Sequence, residues 1–320
     1  MNWASVKNLL IMILAAANVF LIYNISVQNI TKNYLSESEL RNAAEILSER
    51  GQNIDLDGIP QKRFAADIYE SIYPGDETYY AATASKLTGV EQSELRIFSM
   101  PDGSTRISTE QTDGIYKNVE FTNDFSFSYW ISGNQSERAY NDITADDFDE
   151  SSEELSPMSK TRLAALSKLT VAFLGASEQD ESELAVYIEG GYIDTNRGAS
   201  YLIASQRLSD TEVFRHRVIC IFEGEQLIAA TGRWYFENLG ANYDYDLYDQ
   251  VSILFTNYKN ISSKQEDNEL PDVNSMSSCY STYMNPDKTA LYFIPAWEID
   301  HSNGQTIVYN AARSTEYYSS

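Results

Sequence analysis

The sequence predicts an α+β fold, in which an N-terminal transmembrane helix precedes antiparallel sheets with packed helices in two lobes. Three observations support this prediction. A long apolar stretch opens the chain, helical and strand-like patterns then occur in separate runs, and the connections between successive strands are short. Short connections favour antiparallel pairing, because a parallel pair needs a crossover of about a dozen or more residues.

The apolar stretch lies between Lys7 and Lys32, which are separated by 24 uncharged residues. Crossing a hydrocarbon core of about 30 Å takes about 20 mostly apolar residues. Residues 8–28 supply them, with Trp3 and Tyr23 as interfacial aromatic residues. We therefore expect residues 8–28 to form a transmembrane anchor helix.

This segment fits an uncleaved anchor better than a cleaved signal peptide. Three alanines at residues 15–17 match the small-residue pattern of a cleavage site, but cleavage there would leave only residues 9–14 as the apolar core. We expect residues 1–7 to be a cytoplasmic tail, since a basic residue beside the span favours the inner side. The prediction is a single-pass cell-membrane protein whose bulk is extracytoplasmic.

One polar residue, Asn18, interrupts the apolar run. A side-chain amide in hydrocarbon favours a hydrogen-bonding partner, and small neighbouring residues allow a second helix to approach closely. The alternative is that Asn18 reaches the headgroups by snorkelling. We predict a transmembrane interaction face made by residues at helical spacing: Ala4, Asn8, Ile11, Ala15, Asn18 and Ile22.

The chain is strongly acidic, with 47 acidic and 23 basic residues and a net charge of −24. Such a charge repels nucleic acid and anionic lipid surfaces, so we expect no nucleic-acid partner, and solubility is the simplest explanation of the excess. Two cysteines do not make a disulfide framework. Cys220 is expected to be a small buried hydrophobe, and a Cys220–Cys279 bridge is the less favoured alternative.

Two extracytoplasmic α+β subdomains are predicted, over residues 29–140 and 158–320. Between them, residues 141–157 contain many acids and no base, which is typical of a linker or a solvated loop. The first subdomain begins with a capping box at residues 36–39, which predicts a helix. Its other expected elements are a helix over 76–87, strands over 94–100 and 105–109 joined at 101–103, and a strand pattern over 119–131.

The second subdomain is expected to begin with a helix. Ser156 would cap this helix, Pro157 would take its first position, and Gly175 would end it. The remaining expected elements are strands over 184–188, 200–206, 212–222 and 226–236 with a turn or bulge at 190–191, a helix over 247–258, a polar loop over 259–268, a short helix over 271–278, and a hairpin of 290–299 and 306–312 around the Asn-Gly turn at 303–304.

No recognisable catalytic or metal-binding motif occurs in the sequence. His216 and His301 lie outside HExxH and Cys/His patterns, and each is expected to be a solvated or capping histidine. No GxSxG, P-loop or GxGxxG motif is present. Asp244, Asp246 and Asp249 are expected to be acids at a helix N-terminus rather than a calcium or glycosidase site. We therefore expect no enzymatic activity, no metal and no cofactor.

Short motifs spread over nearly the whole chain point to a family. They lie at residues 1–3, 18–21, 42–51, 54–60, 232–236, 249–255, 295–297, 303–304 and 309–311. With these motifs, the chain resembles the YycI type of two-component regulatory protein of Gram-positive bacteria. The resemblance implies an extracytoplasmic α+β domain that partners a related single-pass protein of the YycH type. It also implies regulation of a cell-wall sensor histidine kinase through contacts among membrane helices, with no catalytic residues.

Two functional hypotheses follow. The first is a non-enzymatic, membrane-anchored regulator in signal transduction by a two-component system. The alternative is an extracytoplasmic, cell-wall-associated ligand-binding module or hydrolase that uses Asp244, Asp246, Glu298 and Asp300. Two of these carboxylates about 5 to 9 Å apart in a deep cleft would favour the hydrolase, whereas their dispersal over the surface would oppose it.

Overall fold

The computed structural model describes residues 18, 33–72, 77–110, 115–122, 126–132, 148, 151–175, 184–236, 239–240, 242–243, 245–264, 270–287, 290–313 and 315–319. Within them the chain has an α+β fold of four α-helices and mainly antiparallel strands, as predicted. No helix in this part of the chain is long and apolar enough to cross a bilayer. The predicted anchor lies outside the described residues, except for Asn18.

The helices and strands follow one another in separate runs. In chain order they are α1 (Glu37–Ser48), β1 (Ile68–Ile72), α2 (Glu77–Thr88), β2 (Leu95–Ser99), β3 (Thr105–Glu110), β4 (Tyr116–Phe121), β5 (Ser126–Ser132), β6 (Leu155–Pro157), α3 (Lys160–Leu174), β7 (Leu184–Asp194), β8 (Ala199–Leu208), β9 (Thr211–Glu223), β10 (Gln226–Arg233), β11 (Asn242–Tyr243), α4 (Gln250–Lys264), β12 (Val273–Met284), β13 (Ala290–His301), β14 (Thr306–Asn310) and β15 (Thr315–Ser319).

Contacts divide the chain into two compact units, each built from separate stretches of sequence. Unit 1 comprises residues 1–67, 244–278 and 295–320, and unit 2 comprises residues 68–243 and 279–294. The predicted division into two consecutive subdomains stays a prediction.

In unit 1, helices α1 and α4 pack on the hairpin formed by β13 and β14. The predicted capping box begins α1: the Ser36 hydroxyl accepts from Glu39 N, and the Glu39 carboxylate accepts from Ser36 N at 2.8 Å. The predicted Asn-Gly turn joins β13 to β14, with Gly304 at a φ of +83°. The core of the unit contains Leu40, Leu47, Ile253, Leu254, Ile261, Trp297, Ile299, Ile307 and Tyr309.

Unit 2 packs α2 and α3 on a sheet whose strand order is β11-β1-β13-β12-β9-β10-β5-β4-β3-β2, with β8, β7 and β6 leading away from β9. Among its strand pairs of known register, only β12 and β9 are parallel, at Tyr280 and Val213, and the others are antiparallel. Gly175, at a φ of +79°, ends α3 in the left-handed conformation, as predicted. The core is rich in aromatic residues, among them Tyr80, Phe121, Phe127 and Tyr129.

Several local expectations are wrong. Residues 155–157 form the short strand β6, and Ser159 rather than Ser156 caps α3. Helix α4 continues through the expected polar loop to Lys264, because Ile261 is buried in the core. The expected short helix over 271–278 is instead the beginning of a long strand, β12.

Two strand expectations also need correction. The single pattern over 119–131 is a hairpin of β4 and β5. At residues 190–191 the expected bulge, rather than the turn, is confirmed, because the register with β8 shifts between Ile188 and Gly190. The strand expected over 184–188 continues through this bulge as β7 to Asp194. Tertiary pairing thus decides where each of these strands ends.

Candidate functional site

Most of the predicted transmembrane interaction face lies outside the described residues. This applies to Ala4, Asn8, Ile11, Ala15 and Ile22. Asn18 is helical and exposed. The face therefore stays a prediction.

Three of the singled-out acids precede or begin α4. Asp249 is a helix N-terminal acid as predicted, because its Oδ1 accepts from Ser252 N at 3.0 Å and from Ser252 Oγ at 2.7 Å. Asp246 is exposed, and Asp244 lies outside the described residues. The structure thus gives Asp249 a capping role.

The other two acids, Glu298 and Asp300, lie two residues apart on β13. Both carboxylate oxygens of Asp300 accept hydrogen bonds, from Ser275 Oγ at 2.8 Å and from Thr306 Oγ1 at 2.7 Å. These donors belong to β12 and β14, so Asp300 crosslinks the sheet of unit 1. Neither acid lines the cleft of unit 1 described below.

His301 is buried, which corrects the expectation of a solvated or capping histidine. Its Nδ1–H donates to the Gln305 carbonyl at 3.2 Å, and its Nε2 accepts from Asn257 Nδ2 at 3.1 Å. The Tyr309 hydroxyl donates to Asn257 Oδ1 at 3.0 Å. Burial lowers the pKa of His301, against the opposing effects of Gln305 and of the Asp300 charge. Its ring is a neutral member of a hydrogen-bonded core.

His216 is likewise buried, in unit 2. Its Nδ1–H donates to Gln206 Oε1 at 2.7 Å, and the same amide bonds the Tyr235 backbone through Oε1 and Nε2. Burial, and then the charge of Arg233, lower the pKa of His216 to about 3. The preceding Arg215 has a φ of +59°, where the β8–β9 register shifts. This network fixes an irregularity in the sheet.

Both cysteines are buried free thiols, so the alternative of a Cys220–Cys279 bridge is wrong. Cys220 is a fully buried core residue, as predicted. Burial raises the pKa of its thiol to about 12.

Two short segments of unit 1 pair just after the uncharged stretch, where the continuously described part of the chain begins. Arg63 N donates to the Asn33 carbonyl at 2.8 Å, and Leu35 N donates to the Gln61 carbonyl at 2.8 Å. Tyr34 and Lys62 form an antiparallel bridge between these bonds. We call residues 33–35 and 60–63 the N-terminal clasp. The clasp fixes the chain from the residue after Lys32, where the uncharged stretch has just ended.

Gln250 ties the clasp to α4. Its side chain is fully buried, and Nε2 donates to the carbonyls of Pro60 at 2.8 Å and Lys62 at 2.7 Å. Apolar packing adds to these bonds, since Leu35 and Ile59 belong to the core of unit 1. The clasp is therefore part of the folded unit.

Several motifs of the family resemblance meet beside the clasp. Trp297 Nε1 donates to the Tyr248 carbonyl at 3.0 Å, and its ring packs edge-on against Phe64 at 5.6 Å between centroids. Tyr248 N donates to the Ala311 carbonyl at 2.7 Å, and Ala311 N donates to the Pro295 carbonyl at 2.9 Å. Gln250 could not be recognised as a functional candidate from the sequence, because glutamine carries no catalytic signature and its two acceptors are distant in sequence.

Unit 1 also contains a polar cleft of about 430 Å³. Asp272 Oδ1 accepts from the backbone and side-chain nitrogens of Asn53 at 2.9 and 3.1 Å. The neighbouring Gln52 is fully buried and donates to the Pro271 carbonyl at 3.0 Å, whereas its Oε1 has no partner in the described part of the chain. The lining residues are Gly51, Asn53, Leu270, Pro271, Asp272, Ser302 and Asn303.

Metal ligands do not cluster in the described part of the chain, where no group of three or more His, Cys, Asp or Glu side chains could hold an ion. No family model matches the chain, and no curated protein matches it. Among solved structures, an uncharacterized protein from Eubacterium rectale is similar, with 10% sequence identity and a TM-score of 0.43. That similarity covers 83% of this chain and 89% of the other.

Proposed function

We propose that the protein is a non-enzymatic, membrane-anchored regulator of a cell-wall sensor histidine kinase. It acts through its transmembrane helix and through extracytoplasmic contacts, together with a single-pass partner of the YycH type. The N-terminal clasp is the observation that supports this proposal best. It joins the 24-residue uncharged stretch to a folded unit at Asn33.

The clasp determines how motion passes from unit 1 toward the predicted span. A flexible Gly/Ser-rich linker behaves as a random coil, so the orientation of one end is lost at the other. Here backbone hydrogen bonds hold residues 33–35 against residues 60–63, and Gln250 holds residues 60–62 against α4. A displacement of α4 therefore moves the chain at Asn33, five residues after the predicted span ends.

The predicted interaction face supplies the other half of the mechanism. An amide at Asn18 that bonds a neighbouring span would turn movement of the anchor into a change of helix packing. Small residues on the same face, such as Ala15, allow the close approach that this packing needs. Regulation then requires that unit 1 have two conformations that differ in their affinity for the partner.

A flexible insertion tests the clasp. A short Gly-Ser segment inserted between Lys32 and Asn33 should abolish regulation of the kinase, while membrane level and co-purification with the partner spans persist. The same segment inserted between Asp102 and Gly103, in the exposed β2–β3 turn, is the matched control and should leave regulation intact. Response-regulator phosphorylation in cells measures the effect. Full regulation by the first variant would contradict rigid transmission.

Cysteine labelling tests the orientation. Both native thiols are buried, so the unaltered protein provides a low background. A Ser320→Cys variant should react with a membrane-impermeant thiol reagent in intact cells. Labelling of this variant only after lysis would place the bulk of the chain on the cytoplasmic side and refute the topology.

A second candidate function is a ligand-binding module for cell-wall material. The polar cleft favours it, because Asp272 lines the cleft together with the polar side chains of Asn53 and Asn303. If the protein binds soluble wall fragments, and Asp272→Asn weakens that binding without impairing kinase regulation, this function is established separately. If the protein hydrolyses the same fragments, and Asp300→Asn abolishes that hydrolysis, the protein is instead a hydrolase.

A further inference from the structure

Three tyrosines and one glutamate form a row across four strands of unit 2. Glu70 on β1 lies opposite Tyr292 on β13. The Tyr243 hydroxyl, from β11 on the other side of β1, donates to Glu70 Oε2 at 3.0 Å. The Tyr283 ring on β12 lies 6.4 Å from the Tyr292 ring, between centroids. We call Tyr243, Glu70, Tyr292 and Tyr283 the tyrosine row.

The row lies on the solvent face of its strands. Tyr243 is 49% exposed and Tyr283 is 42% exposed, and Glu70 and Tyr292 are half-buried. Side chains of alternating residues in a strand point to opposite faces. Accordingly, Tyr69 of β1 and Tyr280 of β12 are buried and pack edge-on at 6.1 Å. Core packing thus explains the inner tyrosines of these strands, but it does not explain the outer ones.

The electrostatics of the row favour a cation. In the described part of the chain, Glu70 meets tyrosine hydroxyls and no basic side chain. The hydrogen bond to Glu70 raises the pKa of Tyr243, and desolvation followed by the Glu70 charge raises that of Tyr292. Sharing a phenol hydrogen with a carboxylate leaves more electron density on the ring, and the negative ring face attracts cations.

We propose that the tyrosine row binds an alkylammonium group, carried by a small quaternary amine or by a lysine side chain. The ring faces contact the alkyl groups around the nitrogen, and Glu70 supplies the compensating charge. Stacking of a neutral sugar on the same rings is the rival. The ammonium is favoured because the row carries one carboxylate that forms no ion pair among the described residues, in a chain of net charge −24. This site is independent of the proposed kinase regulation.

Ligand-observed NMR on the full chain, in a neutral maltoside detergent, tests the proposal. Choline and a lysine amide are the cationic probes. The control ligand is the uncharged carbon isostere of choline, in which a tert-butyl group replaces trimethylammonium. At least one cation should bind with a dissociation constant in the millimolar range, as expected for a few exposed cation–π contacts. Preference for choline identifies a quaternary amine, and preference for the lysine amide identifies a lysine side chain.

Variants assign the binding to the row. Glu70→Gln keeps an oxygen acceptor for the tyrosine hydroxyls and removes the charge, so it should weaken cation binding about three- to fivefold. Tyr243→Leu should weaken it about two- to fivefold. Tyr116→Leu, at a 37% exposed tyrosine elsewhere in unit 2, should leave it unchanged. Unchanged thermal unfolding shows that each variant is folded.

Three results would overturn the proposal. Equal binding of choline and its neutral isostere would show an apolar surface without charge selectivity. Tighter binding of a neutral chitin disaccharide, insensitive to Glu70→Gln, would show a sugar platform. An equal loss in Tyr116→Leu would place the cation elsewhere.

Discussion

Replacing Gln250 by leucine should open the N-terminal clasp. The side chain is fully buried, and its two hydrogen bonds to the Pro60 and Lys62 carbonyls are 2.8 and 2.7 Å long. Gln250 Oε1 has no partner in the described part of the chain, so leucine loses only the bonds of the amide hydrogens. The variant therefore isolates the donor half of the side chain.

The magnitude follows from these two bonds. A buried hydrogen bond contributes about 1 kcal/mol net, and a buried acceptor left without a donor costs about 1 to 3 kcal/mol. Water reaches part of the carbonyl surface, and removal of the unpaired Gln250 Oε1 recovers part of the cost. We therefore expect Gln250→Leu to lower the local stability of unit 1 by about 1 to 3 kcal/mol. Gln250→Glu should be worse at neutral pH, because an ionised carboxylate would face two carbonyl oxygens without a hydrogen to share.

Native-state hydrogen exchange of the full chain is the appropriate assay, because a chain with two compact units need not unfold in one step. The Leu35 and Arg63 amides, which donate across the clasp, report its opening free energy. Gln226→Leu, at an exposed glutamine of unit 2, is the matched control and should leave both amides unaffected. Protection of these amides in Gln250→Leu within about 0.5 kcal/mol of the unaltered protein would refute the reasoning.

Three further predictions concern other sites. Folding lowers the pKa of His216 from its ordinary value to about 3. The unfolded chain therefore takes up the proton first as the pH falls below about 6.5, and between pH 7 and pH 5 this group removes about 2 kcal/mol of folding stability. His216→Asn, which keeps a donor near the Nδ1 position, should lessen that loss in acid unfolding, and an unchanged pH dependence would contradict the prediction. Gly58→Ala should destabilise unit 1 by about 1 to 3 kcal/mol in denaturant unfolding, since a Cβ there would overlap the Asn274 carbonyl oxygen, and a neutral result would show that the backbone relaxes. Asn18→Leu and Ala15→Leu should each weaken crosslinking to the partner spans by about two- to thirtyfold while membrane insertion persists, and unchanged crosslinking in both would make the span a passive tether.

Elements with strong local signals could be predicted from the sequence. The capping box at Ser36 and Glu39 satisfies backbone donors within one turn, so it begins α1 whatever packs against it. Gly175 ends α3, and the Asn-Gly turn before β14 closes the β13–β14 hairpin, because both need a left-handed backbone that glycine adopts without strain. Cys220 lies in an alternating apolar run and is buried as that alternation predicts.

Elements whose limits depend on distant partners could not be predicted in this way. Residues 271–278 are expected to be helical, but from Val273 onward they are part of strand β12, because the surrounding strands offer a ladder for their backbone. The histidines look polar in sequence, yet Gln206 and Asn257 give them partners inside the core. Burial of a polar ring depends on the availability of those partners, which no local pattern records.

The candidate sites likewise depend partly on consecutive residues and partly on residues that are distant in sequence. The sequence alone determined the acidic charge, the uncharged stretch and the position of Asn18 within it, because each is a property of consecutive residues. Only the tertiary structure brought Gln250 to the carbonyls of Pro60 and Lys62, and Glu70 to the tyrosines of two other strands. Hydrogen bonds and cation–π contacts act over a few ångströms, so the fold must first bring together residues that lie far apart in the chain.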